Sequence, residues 1–272
     1  MPSISSFPLF FLKLGGSLIT DKTHPHTARL DVLARLADEI ATALDRQPGL
    51  RLVLGHGSGS FGHVPARRYG TREGVRTREQ WLGFLEVWRE AAFLNRLVMD
   101  ILAKAGLPAI AFQPSSAVTA HDGQVQNWEL TPLQSALEAS LLPVVYGDVV
   151  FDISRGGSIL STEDLFTHLA RNLQPKRMLL AGREAGVWAD YPACTRLVTQ
   201  ITPESLPQIA PALGGSASTD VTGGMASKVR ETLALAGEIP GLEVFIFSGG
   251  IEGMVTSALM GERLGTCVFV PQ

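Results

Sequence analysis

Two lysines, two histidines and a set of glycine turns are the residues of this chain with types and spacing suited to chemistry. Lys13 precedes Leu-Gly15-Gly16-Ser17, and Lys22 follows the same turn. His56 and His63 bracket the loop His56-Gly57-Ser58-Gly59-Ser-Phe-Gly-His63. Gly147-Asp148, Asp220-Val-Thr-Gly223-Gly224-Met225 and Ser248-Gly-Gly250 complete five glycine-bearing clusters spread along the chain. Glycine lets main-chain N–H groups face an anion without a side chain in the way, so these turns read as parts of one polyphosphate site. Transfer of a phosphoryl group spreads negative charge, and positioned ammonium groups stabilise it. A hairpin that returned Lys22 toward Lys13 would supply two. Taken singly, each lysine reads as a solvated surface cation; beside the glycine turn they read as a pair. His56, at a strand end, is expected to satisfy backbone groups, whereas His63 is open to a structural role or to donation to an anionic oxygen.

Other phosphate motifs fit less well. Gly57 to Gly62 matches G-x-G-x-x-G, but it follows the second strand and lacks the later acidic ribose partner of dinucleotide sites. There is no G-x-x-x-x-G-K-[ST], and no protein-kinase H-R-D or D-F-G set. The net charge of −3 over 272 residues argues against a general nucleic-acid footprint, so an anionic ligand must be met by local cations. Cys194 and Cys267 match no metal-ligand spacing and read as small hydrophobes in a reduced, cytoplasmic protein. No apolar run has the length of a membrane span, and Phe7 to Leu12 is too short for a signal-peptide core.

The elements that must position these residues are legible as alternating strands and helices. Strand-length apolar runs occur at 9–14, 51–54, 109–112, 142–146, 178–180, 244–247 and 266–270. Helix starts are signalled by Asp31, Thr77 with Gln80, Thr131-Pro132 with Gln134, Ser161 with Asp164, and Thr202-Pro203. The alternation implies an α/β fold, a mainly parallel sheet covered on both faces, with ligands beyond the carboxyl ends of the strands. Gly214 to Gly224 reads as an exposed flap opening a helix near Met225. Trp81, Phe84 and Trp88 fall on one helix face, either plain core or part of an apolar ligand pocket.

The motifs Lys13-Leu-Gly-Gly-Ser-Leu-Ile-Thr-Asp-Lys22, His56 to His63, Gln113-Pro-Ser-Ser116, Gly147-Asp148 and Asp220 to Lys228 resemble the amino acid kinase superfamily, and within it the isopentenyl phosphate kinases. The resemblance runs in order over roughly residues 9–250. It implies an αβα sandwich on one continuous sheet, with residues 1–172 as an acceptor-phosphate lobe and 173–272 as a nucleotide lobe. It further implies ATP with Mg²⁺, a homodimer, and ATP-dependent phosphorylation of isopentenyl phosphate to isopentenyl diphosphate. Carried over by motif, Lys13, Gly15, Gly16 and Ser17 would cradle the nucleotide phosphates and Lys22 would stabilise the transferring group. Gly57, Ser58 and Gly59 would offer backbone donors, with Gly147 beside the acceptor. His63 would bind the acceptor phosphate, Asp148 would orient the lysines, and Gly223, Gly224 and Lys228 would hold the β and γ phosphates. No protein ligands to a metal are implied.

Two segments depart from the family pattern. Where members carry Thr-Asp-Val-Asp-Gly-Val, this chain reads Gly182-Arg-Glu-Ala-Gly-Val187, so a different hold on base and ribose is expected. Ser161-Thr-Glu-Asp164 stands where Ser-Gly-Asp-Asp is usual; Asp164 is either a helix cap or a site residue, and Glu163 keeps a carboxylate one methylene further out. Competing readings are another phosphate or phosphonate kinase of this fold, such as a fosfomycin kinase, and a non-catalytic nucleotide sensor or storage protein. Retention of Lys13, Lys22 and His63 argues against the second, because a binder has little use for a transition-state clamp.

Overall fold

The computed structural model describes residues 7–213 and 224–271. An eight-stranded sheet runs through it in the spatial order 200–201, 266–268, 243–248, 177–182, 9–14, 51–56, 142–146, 109–112. Neighbours are parallel except for 243–248 against 266–268, which are antiparallel. Each predicted strand is present within a residue or two of its expected ends, because continuous apolar runs bounded by polar or glycine residues are what a doubly covered parallel sheet requires.

Strand periodicity sorts the core into two faces. Leu9 and Phe11, with Val53, Val145, Met178, Leu180, Val244 and Ile246, enter one buried cluster. Phe10, Leu12 and Leu14, with Leu52, Leu54, Val144, Leu179, Phe245 and Phe247, enter the other. Successive side chains alternate across the sheet, so this division follows from the register alone. The first face is covered by the helices Thr162–Leu173 and Gly224–Glu238, through Leu165, Phe166, Leu169, Val229 and Leu233. The second is covered by Leu30–Arg46 and by the long helix Arg78–Lys104, through Leu36, Ile40, Leu94 and Val98.

A four-stranded sheet, in the order 124–128, 118–121, 148–152, 156–160, has no counterpart in the sequence reading. Its strands are short, and Gln124–Trp128 and Gly156–Leu160 are polar or open on glycine, so neither carries a clear apolar signal. The turn at its end is held by Asp152, which accepts from the N–H groups of Gly123, Ser154 and Arg155 at 2.8 to 2.9 Å.

Helix starts follow the capping signals where the signal is complete. Thr77 with Gln80 and Ser161 with Asp164 both form reciprocal capping boxes. The other three helix starts differ, the one signalled by Thr202-Pro203 beginning only at Leu206. Leu30–Arg46 begins before Asp31, which sits in its first turn, where a carboxylate still favours the helix amino end. In Thr131–Glu138 the cap is Leu130, and Thr131-Pro132 open the helix itself, where proline's missing N–H costs nothing. Cys267 is buried in the core, and Cys194 lies half-buried; both are free thiols. Among the described residues no helix is long and apolar enough to cross a membrane.

Candidate active site

The strand register places the first catalytic candidate. Lys13 continues the odd-numbered face of its strand after Leu9 and Phe11, so it emerges on the side covered by Thr162–Leu173 and Gly224–Glu238. There its ammonium group donates to Glu163 in a close ion pair, and Lys228 Nζ lies 3.8 Å from the same Glu163 oxygen. Burial pushes the Glu163 carboxyl up, but Lys13 and Lys228 outweigh it and hold it at about 2. Glu163 therefore stays ionised and ties together two cations from distant parts of the chain. The helix carrying it closes tightly on the sheet. A Cβ at Gly55 would come within 2.6 to 2.8 Å of Thr162 and Phe166, and Thr162 Oγ1 donates to the His56 carbonyl at 2.6 Å.

Among the described residues the carboxylate paired with Lys13 and Lys228 is Glu163, where Asp148 was expected. Asp148 is fully buried and accepts from the N–H groups of Val149 at 2.8 Å and Ser115 at 3.3 Å. Burial pushes its carboxyl up to about 6 against those donors. The Gln113-Pro-Ser-Ser116 motif thereby acts on Asp148, and Asp148 braces the strand junction after Gly147. Sequence reasoning passed over Glu163 because it was weighed as a departure from a family pattern; its place in the first turn of a helix covering the Lys13 face was the available signal.

The first two glycine loops meet backbone to backbone. A Cβ on Gly16 would stand 2.5 Å from Gly59 N, and one on Gly57 2.9 Å from Gly16 N, so only glycine permits this approach. Thr20 stitches the loops, its hydroxyl donating to the Gly16 carbonyl at 2.7 Å and accepting from Ser60 N at 2.9 Å. Two expected donors are already taken: Gly15 N–H by Ala181 at 2.8 Å and Gly57 N–H by Leu14 at 3.1 Å. Gly147 N–H likewise donates to His56 at 3.3 Å. The N–H groups of Gly16, Ser17, Ser58 and Gly59 have no acceptor among the described residues and border the same cavity.

That cavity, of about 570 Å³, collects most of the expected residues. Lys13, Lys22, His63 and Lys228 all line it, as do Gly15, Gly16, Ser17, Gly57, Ser58, Gly59, Gly147 and Gly224. Lys22 is brought back by a closed hairpin: Thr20 bridges Ala28, Asp21 N–H donates to the Thr27 carbonyl at 2.9 Å, and Arg29 N–H to Ile19 at 2.8 Å. Within the loop, the Thr23 hydroxyl, then His24, hold the Asp21 carboxyl well below the usual carboxylate range. His26 fastens the loop to the long helix through Glu90 at 2.6 Å. Gly223, with Asp220 to Thr222 and the rest of the expected flap before Gly224, lies outside the described residues.

His56 takes the backbone role expected of it. It is buried, stacks on Tyr146 at 5.4 Å, and its ring nitrogens lie 3.2 Å from Gly57 O and Asn95 Oδ1. Burial pulls its pKa down, so it stays neutral. Beyond His63 the cavity wall turns apolar, with Ala66, Val87, Ile159 and Leu160. Trp81, Phe84 and Trp88 do not line it. Phe84 stands directly behind, in a buried cluster with Ala66, Val87 and Val149, against which Trp81 and Trp88 pack. Arg72 also reaches the cavity and is paired with Asp164 at 3.4 Å; it was not singled out in the sequence, where it follows the helix of His63 without a motif.

The opposite end is lined by Gly182, Arg183, Glu184, Val187, Trp188 and Tyr191. The indole of Trp188 donates to Glu184 at 3.3 Å. The Ser248-Gly-Gly250 cluster does not reach the cavity. It supports this end from behind: Ser248 Oγ donates to the Arg183 carbonyl at 3.3 Å, Gly249 N–H to Gly182 at 2.9 Å, and Arg35 clasps the Gly249 carbonyl at 2.7 Å. Among the described residues no three His, Cys, Asp or Glu side chains gather into a metal site.

An αβα chain whose cations and glycine turns converge beyond the strand ends has the construction of a phosphotransferase. The sequence model of the Amino acid kinase family matches residues 8–248, and the chain belongs to that family. It is 36% identical to the isopentenyl phosphate kinase of Methanothermobacter thermautotrophicus, over 94% of this chain and 97% of that one. It is 33% identical to the isopentenyl phosphate kinase of Methanocaldococcus jannaschii, over 95% and 97% of the two chains. Among solved structures, one described as an X-ray structure of isopentenyl phosphate kinase superposes with a TM-score of 0.80 at 33% identity, covering 96% of this chain and 99% of that one.

Proposed function

We propose that this protein transfers the γ-phosphoryl group of ATP to isopentenyl phosphate, giving ADP and isopentenyl diphosphate. The observation that carries the reading is a single cavity with Lys13, Lys22 and Lys228 along it, His63 further on, and an apolar wall of Ala66, Val87 and Ile159 beside His63. A phosphate monoester has a second pKa near 6, so at neutral pH the acceptor is already a nucleophilic dianion and needs no general base. Its oxygen attacks the γ-phosphorus as the bond to the β–γ bridging oxygen breaks, and ADP leaves with that electron pair.

The work of the protein is to let two anions meet in line. Lys13 and Lys228, oriented by Glu163, hold the nucleotide phosphates together with the N–H groups of Gly16, Ser17 and Gly59. Lys22 meets the transferring group. Ser58 and His63 hold the acceptor phosphate, and the apolar wall takes its isopentenyl tail. Asp148 braces the Gly147 turn from within. Mg²⁺ accompanying ATP would be held largely by phosphate and water oxygens and would offset charge on the phosphates as they meet. We assign the acceptor side to residues 1–172 and the nucleotide side to 173–272, in a cytoplasmic homodimer. Phosphorus NMR of a mixture with ATP and isopentenyl phosphate tests the reading: a diphosphate ester should appear in step with ADP, and ADP without it would overturn the assignment.

A further inference from the structure

Arg72 belongs to none of the glycine or lysine motifs, yet it borders the acceptor end of the cavity. Its backbone is pinned. The helix Gly59–Tyr69, which carries His63 and Ala66, ends at Gly70 in the left-handed conformation (φ 59°), and Thr71 N–H closes back on Ala66 at 3.1 Å. The Arg72 carbonyl then accepts from Ser158 Oγ at 2.9 Å and Arg155 Nη1 at 3.2 Å. Ser158 is fully buried and immediately precedes Ile159 and Leu160, both on the cavity wall. Arg72 is therefore fixed between the element of His63 and the strand that walls the acceptor pocket.

Its side chain is held less firmly than its backbone. One guanidinium nitrogen reaches Asp164 Oδ2 at 3.4 Å, and that oxygen already accepts from Ser161 N–H at 2.7 Å. A guanidinium carries five N–H donors, and its other donors have no acceptor among the described residues. Asp164 is the neighbour of Glu163, so this second carboxylate pair stands beside the one that holds Lys13 and Lys228. A side chain that lines a cavity with most of its planar fork unengaged is matched to the oxygens of a phosphate, which arginine can grip with two parallel bonds.

We infer that Arg72 binds the phosphate of the acceptor, sharing it with His63 and using Asp164 as its resting partner, and that it selects doubly charged phosphate monoesters over carboxylate acceptors. This rests on the acceptor assignment above. The test compares Arg72→Gln and Arg72→Lys with the unaltered protein. With isopentenyl phosphate varied at saturating ATP, Arg72→Gln should raise the acceptor KM by about 10- to 100-fold, the scale of a lost charge-assisted contact, while the KM for ATP stays within about twofold. Arg72→Lys should recover only part of the loss, because an ammonium restores the charge without the fork. An acceptor KM within about twofold in Arg72→Gln would overturn the inference and leave Arg72 as a prop for the helix cap. Calorimetric binding of inorganic phosphate to the nucleotide-free protein separates this from failure of the functional reading. Weaker phosphate binding in Arg72→Gln supports the site even if isopentenyl phosphate proves not to be turned over, and equal binding overturns it.

Discussion

At the scale of single residues, the site depends on one carboxylate shared by two ammonium groups. Glu163 holds Lys13 and Lys228 on the same face of the sheet, so its removal should leave two like charges to separate. Glu163→Gln is expected to lower kcat by about 100-fold, the scale of one lost electrostatic group in a transfer site, as read by steady-state kinetics. It should also change the acid limb of stability. The folded pKa of Glu163 is depressed from 4.5 to about 2, so the stability it contributes is complete above 4.5 and is lost as pH falls toward 2. The difference in Tm between the unaltered protein and Glu163→Gln should therefore shrink as pH is lowered through that window. His63→Ala should act differently, raising the acceptor KM with ATP binding intact, as separate titrations of the two substrates would reveal.

At the scale of elements, what positions the site is the approach of two glycine turns and the packing behind the acceptor pocket. Gly16→Ala would put a methyl group 2.5 Å from Gly59 N, in a place where both neighbours are backbone, so the loops must part. Loss of nucleotide binding in a protein that still melts cooperatively is the expected result. Phe84 backs Val87 and Ala66, and its ring would lie 3.0 Å from a Cβ on Gly157. Phe84→Ala should cost about 3–5 kcal/mol of stability in denaturant titration and admit phosphates with longer apolar tails. Unchanged chain-length preference would leave Phe84 as core alone.

The same scale explains what the sequence made legible. The parallel strands announced themselves as apolar runs, and Lys13 and His63 stood out because each adjoins a glycine loop that follows a strand, with Lys22 a few residues past the first of them. The second sheet did not, since Gln124–Trp128 pairs polar residues along an edge. Arg72 and Glu163 escaped for a related reason. Each reaches the cavity through a tertiary contact, Glu163 with a partner 150 residues away and Arg72 with one 92 away, and local pattern does not name the partner of either.

At the scale of the whole molecule, the sheet sets the electrostatics. It buries Asp148 at the junction of two sheets, where its raised pKa of about 6 stands above the ordinary 3.8. A carboxyl raised in this way contributes stability that is complete below 3.8 and is lost as pH rises through about 6. Thermal melts of Asp148→Asn should accordingly show a flatter pH dependence between about 4 and 6 than the unaltered protein.

The eight-stranded sheet also joins the two ends of the cavity, so Lys13 and the Gly182 to Val187 segment share one floor. Lys13 rises from that floor, and Lys22, His63 and Lys228 face the same cavity from the hairpin and helices around it. The most direct measurement of this arrangement is coupled ADP release with isopentenyl phosphate, fosfomycin and acetylglutamate, compared at equal enzyme concentration. The highest kcat/KM is expected with isopentenyl phosphate, and a preference for acetylglutamate would contradict the assignment of the cavity.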